Sequence, residues 1–578
     1  MIRYPPSMTD RTVPARMTAG APGDLAIEPS VRILPLGGLG EIGLNMMLLD
    51  SGEDLLAVDC GLMFPDDEMP GVDYVIPDFS PLLTRREQVR GVILTHAHED
   101  HIGALPYLLR ELDVPVYGPR MALALAGERL REHGLLERAR LVPVEPRRAF
   151  DVGGFRVEAI RVTHSVVDGL GYGIETPIGT LVHTGDFKFD PHPIDGERSD
   201  YHRLAELGER GVLCLMADST NVDRPGTTPS EREVGRALTD RFRRAAGRVI
   251  VATFASHVHR IQQVLDLAVT FRRKVALLGR SMETNVRLAA ELGYLRVPDG
   301  ALVSLDELSA LPPYRQVIIS TGSQGEPNSA LALMAAQEHK YLRVDEGDLV
   351  VLSARVIPGH ERTITRVVNQ LLRQGAEVLW EGVAFVHVSG HASQDELRLM
   401  LSLVRPQFFV PVHGEYRHLL AHARLAREVG LPAEHVFVVE DGQGLALTKT
   451  GARTLERVPL ARVLVDGKGV GEVGPVVLRD RQLLADDGMV VVAVTVDRAT
   501  GALVAGPEIV SRGWVYEREA ESVLAEAKAA LREAIGEQGS DEPLEREAFV
   551  ALLRSTLRRF ITQRYDRKPI VLALVLDA

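Results

Sequence analysis

Short apolar runs separated by glycine, proline and aspartate dominate the chain from Val31 onward. VRILPL, NMMLLD, LLAVDCG, VRGVILT and GVLCLMADST have the length and the β-branched content of strands. IGALPYLLREL, which follows one of these runs, carries its apolar residues at helical spacing. The pattern predicts a sheet-rich first domain with helices between its strands.

The pattern changes after Thr228. Near-continuous apolar runs such as RVIVATFAS, KVALLGRS, QVIISTGSQGE and DLVVLSAR now alternate with amphipathic helical segments such as RTITRVVNQLLRQ. This alternation predicts a parallel sheet covered by helices on both faces. Because VHVSGHAS and FFVPVHGEY then return to histidine-bearing strands, we interpret this unit as a domain inserted into the first.

The same patterns divide the rest of the chain. Glycine and charged residues are frequent in 451–470, and beyond residue 471 strand signals enclose two helical stretches, 517–537 and 545–565. The predicted units are a disordered tail (1–25), a first domain in two parts (26–228 and 386–450), an inserted domain (229–385), a linker (451–470) and a small α/β domain (471–578).

Composition narrows the class of protein. The 578 residues include 66 Lys and Arg against 79 Asp and Glu, a formal net charge of -13, which disfavours a protein that coats duplex nucleic acid but permits a local basic groove. Cys60 and Cys214 lie in apolar runs and are expected to be buried thiols, as in a reducing cytosol. No run reaches the ~18 apolar residues of a membrane span. We expect a cytoplasmic protein with no membrane partner.

Gly38, Gly40 and Gly43 match the spacing of a dinucleotide-binding fingerprint. That fingerprint requires a helix after the glycines, whereas NMMLLD has the pattern of a strand. We therefore interpret these glycines as turn residues and reject a nicotinamide or flavin cofactor.

The strongest chemical signal is HAHEDH at 96–101, directly after the run VRGVILT. Imidazole and carboxylate groups are the ligands that zinc and similar divalent ions favour. Alternate positions of an extended loop can point together, so His96 and His98 could hold one ion. Asp100 and His101 would then face a second ion.

Three further segments supply similar groups. His164 ends RVEAIRVTHS, Asp186 lies in HTGDF and His413 lies in PVHGE, each after an apolar run. Any one of them alone is more simply an ordinary loop or core residue. With HAHEDH, however, they provide enough donors for two ions.

At these motifs the chain resembles the metallo-β-lactamase superfamily. The resemblance implies an αββα sandwich and assigns His96, His98 and His164 to a first metal. It assigns Asp100, His101 and His413 to a second metal, with Asp186 bridging the two.

The inserted domain is similar to the β-CASP insertion of nucleases, whose marks here are Asp218 in MADSTN, His391 in VSGHAS and His413 in PVHGE. Together with SHVHR, PVHGEYRHL and the C-terminal domain, these motifs resemble the ribonuclease J family. The resemblance covers residues 30–578 and implies 5′→3′ exonuclease activity on 5′-monophosphate RNA, together with internal cleavage, in RNA maturation and decay.

Two cations roughly 3.5–4 Å apart suit phosphodiester hydrolysis, because they make water nucleophilic near neutral pH and stabilise charge on the phosphoryl oxygens. We expect hydroxide held near Asp186 to attack phosphorus in line. His391 is expected to assist the departing 3′ oxygen, with Asp218 orienting it. The predicted catalytic residues are thus Asp100, Asp186, Asp218 and His391.

Ser256, His257 and Val258 lie between a run and a helix, where backbone N–H groups can meet phosphate. The resemblance places the nucleotide along a second segment and a terminal phosphate near Ser393, although helix capping explains the serines equally well. A basic rim is also expected. The second segment is His387, Val388, Ser389, Gly390 and His391. The rim residues are Arg260, Arg272, Arg273, Lys274 and Arg280.

The family also implies further properties. These are two divalent ions per subunit, zinc or manganese, a structural calcium at Asp73 and Asp466, single-stranded RNA as substrate, a homodimer or homotetramer, and partners in an RNA-degradation complex. The donor set alone does not choose between zinc and manganese.

Three alternatives stay open at this point. A β-CASP endonuclease acting at RNA 3′ ends is disfavoured by the C-terminal domain and the SGHAS loop. A small-molecule hydrolase is disfavoured by the large insertion. A scaffold that has lost its metals is disfavoured because every expected ligand position is filled.

Overall fold

A computed structural model describes residues 29–578 except 67, 327, 358–359, 468, 498–499, 501, 515–519 and 538–544. The predicted tail, 1–25, lies outside the described residues. Two mixed sheets form the first domain, and the first has eight strands. In spatial order these are Ala452–Arg457, Gln443–Leu447, Val31–Gly37, Met46–Asp50, Leu55–Val58, Val89–Ile93, Val116–Gly118 and Leu141–Pro143.

The second sheet has six strands and packs against the first. Its inward residues, such as Val157, Tyr172 and Met216, share one buried core with Ile33 and Leu49 of the first sheet. In spatial order the strands are Pro406–Val412, Val212–Asp218, Gly179–His183, Leu170–Thr176, Phe155–Arg161 and Ala149–Val152.

Helices cover the outer faces of both sheets. Leu105–Glu111 and Arg120–Glu132 pack on the eight-stranded sheet. Tyr201–Arg210, Gln394–Val404 and Tyr416–Val429 pack on the six-stranded sheet. The layers are therefore helix, sheet, sheet and helix, which confirms the predicted αββα sandwich.

The insertion is a five-stranded, wholly parallel sheet, as its βα pattern predicted. In spatial order its strands are Lys274–Leu278, Gln316–Ser320, Val249–Ala252, Leu349–Leu352 and Glu377–Leu379. Helices pack on both faces, and they are Glu231–Arg244, Val258–Thr270 and Arg280–Glu291 on one, with Ala330–Ala335 and Glu361–Arg373 on the other.

The first domain closes across the insertion. Strand Val212–Asp218, which precedes it, pairs in parallel with Pro406–Val412, which follows it. In this register Asp218 lies opposite Val412, so the chain returns with His413 beside Asp218. The insertion therefore leaves from and returns to one edge of the sheet.

Residues 451–470, expected to be a linker, contain three strands instead. Ala452–Arg457 pairs antiparallel with Gln443–Leu447 at the edge of the large sheet. Val463–Asp466 pairs with Tyr74–Ile76 and with Gly469–Val470. The edge strand bears exposed charged side chains, as edge strands commonly do, and this composition made the segment look like a linker.

The C-terminal domain has the predicted α/β composition. Met489–Val496 lies between Leu503–Arg512 and Ile570–Asp577. The helices are Pro475–Asp487, Ala520–Gly536 and Arg546–Tyr565, and the last two pack on one face of the sheet. The start of the helix expected over 517–537 falls in residues that the structure does not describe.

Smaller features complete the fold. Leu39–Gly40 pairs with Gly414–Glu415, and the glycines before Met46 have positive φ and lead into a strand, as expected for turn residues. Cys60 and Cys214 are free and buried. Within the described residues, no helix is long and apolar enough to cross a membrane. The remaining α-helices of the described residues are Ser80–Leu83, Glu99–Ile102 and Leu305–Ser309, and short 3₁₀ helices are Arg86–Gln88, Leu136–Arg138, Pro313–Arg315 and Ala433–His435.

Two helical glycines allow a test of helix packing near the site. A Cβ at Gly208 would lie 2.1 Å from the carbonyl oxygen of Leu403, in the helix that follows His391, whereas a Cβ at Gly127 would meet only side-chain methyl groups at 3.6 Å or more. We expect Gly208→Ala to destabilise the protein by about 1–3 kcal/mol because the two helices must separate.

Gly127→Ala is the matched control and is expected to stabilise the protein by up to about 1 kcal/mol through helix propensity. Thermal unfolding of both variants measures the difference. Equal unfolding temperatures for the two would contradict this packing.

Candidate metal centre

The predicted metal-ligating residues converge because each follows a strand of the sandwich at the same end. His96 and His98 follow Val89–Ile93, and His164 follows Phe155–Arg161. Asp186 follows Gly179–His183 and His413 follows Pro406–Val412. Residues distant in sequence therefore meet at one edge of the two sheets.

Three histidines form one half of the cluster. The Nδ1 atom of His98 lies 3.0 Å from Nε2 of His96 and 3.3 Å from Nε2 of His164. With Asp186, these residues offer four ligand atoms that all lie within 4.8 Å of one another. This is the set predicted for the first metal, with its bridging carboxylate.

Asp100, His101 and His413 form the other half, again within 4.8 Å of one another. The Oδ2 atom of Asp100 lies 3.6 Å from Nε2 of His101 and 3.9 Å from Nε2 of His413. Asp100 and His101 belong to the short helix Glu99–Ile102, which turns both side chains towards the site.

Asp186 lies between the two halves. Its Oδ2 atom is 3.3 Å from Nε2 of His101 and 3.2 Å from Nε2 of His413. The same oxygen is 3.7 Å from Nε2 of His96 and 3.9 Å from Nε2 of His164. One buried carboxylate oxygen thus faces imidazoles of both predicted metal sites.

Hydrogen bonds on the outer side of the rings fit this donor set to divalent cations. The Nδ1 atom of His164 donates to the carbonyl of Gly390 at 2.7 Å, since a carbonyl can only accept. Nδ1 of His101 donates to Asp59 Oδ2 at 2.8 Å. A neutral ring protonated at Nδ1 directs its Nε2 lone pair into the cluster, as a metal ligand requires.

Asp59 is the buried residue that connects the two halves. Its carboxylate accepts from the backbone N–H of Thr95 at 2.7 Å and from the Thr95 hydroxyl at 2.8 Å. The Thr95 hydroxyl also lies 3.0 Å from Nδ1 of His96. Thr95 and Asp59 therefore orient a ring of each predicted site.

Close backbone approach completes this support. A Cβ at Gly61 would lie 1.6 Å from the carbonyl oxygen of Asp100, so the chain passes the ligand helix closely only because glycine stands there. Asn45 donates from Nδ2 to Asp100 Oδ2 at 3.2 Å. Both contacts hold the carboxylate of Asp100 at the site.

Burial and the Asp186 carboxylate shift the pKa values of the imidazole rings in opposite directions. Burial lowers the pKa of His98 to about 4 and holds the pKa of His96 and His164 well below the usual value. Burial also opposes charge on His413, but the Asp186 carboxylate outweighs it and raises the pKa of His413 to about 9. Burial alone would raise the pKa of Asp186, but His413, His101 and His96 hold it well below its usual range.

Asp218 and His391 form a pair at the rim, and their ligand atoms lie within 4.8 Å of those of Asp186 and His413. His391 Nδ1 donates to Asp218 Oδ2 at 2.8 Å and lies 3.9 Å from Asp186 Oδ2. Burial lowers the pKa of His391, yet the Asp218 carboxylate more than offsets this and raises it. The predicted orienting contact between these residues is present.

Of the two segments expected to bind substrate, 387–391 contacts the cluster, whereas Ser256–Val258 lies beside Glu231. His257 and Val258 are buried at the start of helix Val258–Thr270, with the half-buried Ser256 just before them. Segment 387–391 passes over the cluster, where its Gly390 carbonyl receives the His164 ring. Ser389 Oγ accepts from the N–H of His391 at 3.2 Å.

Ser393 has internal partners. Its Oγ lies 2.9 Å from the hydroxyl of Thr228 and accepts from Asn221 Nδ2 at 3.1 Å. Its N–H donates to Glu396 Oε2 at 2.9 Å, as in a capping box. The structure therefore gives Ser393 a capping role and does not by itself direct it to a phosphate.

The expected basic rim is wrong for two of its residues. Arg260 is fully buried, with its guanidinium beside Glu231, and Arg273 is buried and donates to the carbonyls of Gly247 and Ala245. Both are internal cations that satisfy buried acceptors. Arg272 and Arg280 are exposed, at opposite ends of strand Lys274–Leu278.

Of the expected calcium ligands, Asp466 ends the strand Val463–Asp466 and Asp73 immediately precedes the neighbouring strand Tyr74–Ile76. Asp73 Oδ2 accepts from the N–H of Gly467 at 2.7 Å, and Asp466 forms an ion pair with Arg481. Among the described residues, neither belongs to a group of three or more potential metal ligands.

Sequence reasoning missed Asp59, Thr95 and Asn45. Asp59 ends the run LLAV just as Asp218 ends VLCLMA, so its position at a strand end was a usable signal. Thr95 and Asn45 lie in ordinary apolar surroundings with no such signal.

Four family models match consecutive parts of the chain. "Metallo-beta-lactamase superfamily" matches residues 40–243 and "Ribonuclease J, beta-CASP domain" matches 246–371. "Zn-dependent metallo-hydrolase RNA specificity domain" matches 376–439, and "Ribonuclease J C-terminal domain" matches 476–578. Together they span the sandwich, the insertion and the C-terminal domain.

Similar proteins cover nearly the whole chain. Ribonuclease J2 of Bacillus subtilis (strain 168) is 39% identical over 95% of this chain and 99% of its own length. Ribonuclease J of Synechocystis sp. (strain ATCC 27184 / PCC 6803 / Kazusa) is 42% identical over 94% and 86%. A crystal structure of a protein of unknown function from Enterococcus faecalis V583 matches with a TM-score of 0.51 and 16% identity, over 72% of this chain and 100% of that one. At that identity it supports the fold alone.

Asp59→Asn tests the outer hydrogen bonds. The amide nitrogen would face Nδ1–H of His101 and favour the tautomer with hydrogen on Nε2, which removes the lone pair from the cluster. We expect metal affinity to fall about 10–100-fold, as measured by competition with a chelator.

Asp54→Asn is the control, because Asp54 precedes the same strand at its opposite end and pairs with Arg90. We expect this variant to bind metal like the parent. Unchanged affinity in Asp59→Asn would show that Asp59 does not set the His101 tautomer.

Proposed function

This chain belongs to the ribonuclease J family, and we propose that it degrades single-stranded RNA in the 5′→3′ direction from a 5′-monophosphate end and also cuts RNA internally. It is a metal-dependent ribonuclease, as the motifs of its sequence predicted. The observation that carries the proposal is the position of Asp186 Oδ2, 3.2–3.9 Å from Nε2 atoms of both halves of the cluster.

We assign two divalent cations, zinc or manganese, to the two halves of the cluster. When bound, such ions activate water near neutral pH and stabilise charge on phosphoryl oxygens. His96, His98 and His164 would hold one, and Asp100, His101 and His413 the other. Asp186 serves both, because its oxygen faces rings of each half.

His391 is the proposed proton donor to the departing 3′ oxygen. Asp218 accepts from Nδ1 of His391, so the ring presents Nε2 as its second position for a proton. The pair lies beside Asp186, at the edge where the inserted domain meets the sandwich. A positioned acid of this kind contributes about 10²–10⁴-fold to a rate.

The preference for a 5′ monophosphate is proposed from two segments. Ser256 and His257 precede the helix that begins at Val258, where backbone N–H groups favour anions, and segment 387–391 contacts the His164 ring through the Gly390 carbonyl. Because segment 387–391 also ends at His391, 3.9 Å from Asp186 Oδ2, a terminal phosphate held along it would leave the first phosphodiester near Asp186. We also propose a cytoplasmic homodimer or homotetramer. We keep the predicted domain boundaries except the linker 451–470, whose strands pair with strands of the first domain.

RNAs that differ only at the 5′ end test the proposal. The protein is incubated with 5′-monophosphate, 5′-triphosphate and 5′-hydroxyl RNA under zinc, manganese or magnesium, and the products are sized. We expect mononucleotides, released fastest from the monophosphate RNA. Internal cuts alone would favour an endonuclease, and absence of cleavage under every metal would contradict the proposal.

Asp218→Asn and His391→Gln test the proposed proton donor. We expect turnover to fall about 10²–10⁴-fold while bound metal stays at the parental level. His202→Gln, at an exposed position of the helix Tyr201–Arg210, is the matched control and should retain parental turnover. If Asp218→Asn or His391→Gln retains parental turnover, the role assigned to that residue is wrong. If a variant loses bound metal, the substituted residue is a metal ligand.

A further inference from the structure

We propose that the buried ion pair of Glu231 and Arg260 is a positioning unit that holds the two terminal-phosphate segments, Ser256–Val258 and 387–391, at a fixed distance from the metal cluster. This inference rests on the proposed function. It concerns how a 5′ end is placed, and it assigns no catalytic step to either residue.

Arg260 acts through other residues, because every nitrogen of its guanidinium already donates a hydrogen bond to a protein acceptor. The side chain has no exposed surface. Nε donates to Glu231 Oε1 at 2.8 Å, and Nη2 donates to the same oxygen. Nη1 donates to the carbonyl of Val386 at 2.7 Å and to Ser353 Oγ. Each nitrogen therefore has a protein acceptor.

These partners lie at both places where the chain passes between the sandwich and the insertion. Glu231 is the first residue of the first helix in the inserted domain. Val386 immediately precedes the segment that returns to the sandwich with His391. Ser353 Oγ donates to the same Val386 carbonyl at 2.7 Å, so the end of a central strand is tied to this point.

A hydrogen-bonded path leads from this pair to the metal ligands. The N–H of Glu231 donates to Asp190 Oδ2 at 2.9 Å, in the loop that follows Asp186. The N–H of Lys188, in the same loop, donates at 2.8 Å to the carbonyl of Thr163, the residue before His164. The pair is therefore connected to the chain beside two ligands.

Arg260 also fixes the other phosphate segment, because it lies in the first turn of helix Val258–Thr270. His257 precedes that helix, and its buried Nε2 lies 3.5 Å from Glu231 Oε1. One carboxylate thus contacts the residue at the centre of the first segment and the arginine that holds the second.

This ion pair affects the positions of the two segments rather than the net stability of the fold. Buried ion pairs contribute little net stability but can fix a unique arrangement. A displacement of about 1 Å between a bound substrate end and the reacting groups can reduce a rate about 100-fold. Weakening this ion pair should therefore lower the rate of cleavage that starts from a bound 5′ phosphate more than the rate of cleavage that does not use a 5′ phosphate.

Arg260→Lys and Ser353→Ala test this inference. The first keeps the charge but cannot reach all three acceptors, and the second removes one link without leaving a buried charge unpaired. For each, we measure kcat/KM on 5′-monophosphate and 5′-hydroxyl RNA, cleavage of a circular RNA without ends, and bound metal. Arg236→Lys is the control, because its ion pair with Glu233 is on the surface.

We expect the monophosphate to hydroxyl ratio to fall at least 10-fold in Arg260→Lys and to fall less in Ser353→Ala. Metal content, circular-RNA cleavage per folded molecule and the control variant should be unchanged. The ratio does not depend on the folded fraction, because both substrates meet the same preparation. If Arg260→Lys does not fold, the Ser353→Ala ratio decides the inference.

An unchanged ratio with a lower rate on all substrates would show a purely structural role and overturn the inference. A parent that cleaves no RNA would instead contradict the proposed function. A parent that cleaves RNA without preferring the monophosphate would overturn the positioning role and the proposed 5′-monophosphate preference, but not the metal-dependent ribonuclease activity.

Discussion

The structure depends on the buried carboxylate of Asp186, whose Oδ2 lies within 3.9 Å of five imidazole nitrogens. A buried carboxylate is costly unless cations or hydrogen-bond donors surround it. Strands of both sheets bring those groups to one edge, and residues such as Asp59 and Gly61 determine how closely they approach. The αββα sandwich therefore places imidazoles of both halves of the cluster around one oxygen, Asp186 Oδ2.

The inserted domain determines how the rim of the metal cluster is built. Strands on either side of the insertion pair directly, so Asp218 and His413 end adjacent strands of one sheet. His391 lies on the return segment and contacts Asp218 across the junction. The positions of the rim residues therefore depend on how the inserted domain packs on the sandwich. The buried ion pair of Glu231 and Arg260 lies at this junction.

Much of this arrangement could be predicted from sequence because it is local. Apolar runs marked the strands, the period of the inserted segments marked a parallel sheet, and HAHEDH marked the metal loop. The parts that failed depend on tertiary neighbours. Arg260 and Arg273 look like surface cations in a helical context, yet they are buried against acceptors far away in sequence. Residues 451–470 have a polar composition, but the open edge of the large sheet pairs with them.

The central claim is that two divalent cations occupy this cluster in the active enzyme. The most direct measurement is elemental analysis of dialysed enzyme, carried out on the same samples as RNA cleavage during stepwise chelation and reloading. We expect two transition-metal ions per chain at full activity, with activity lost and regained in step with them. Full RNA cleavage by protein that carries no bound metal would contradict it.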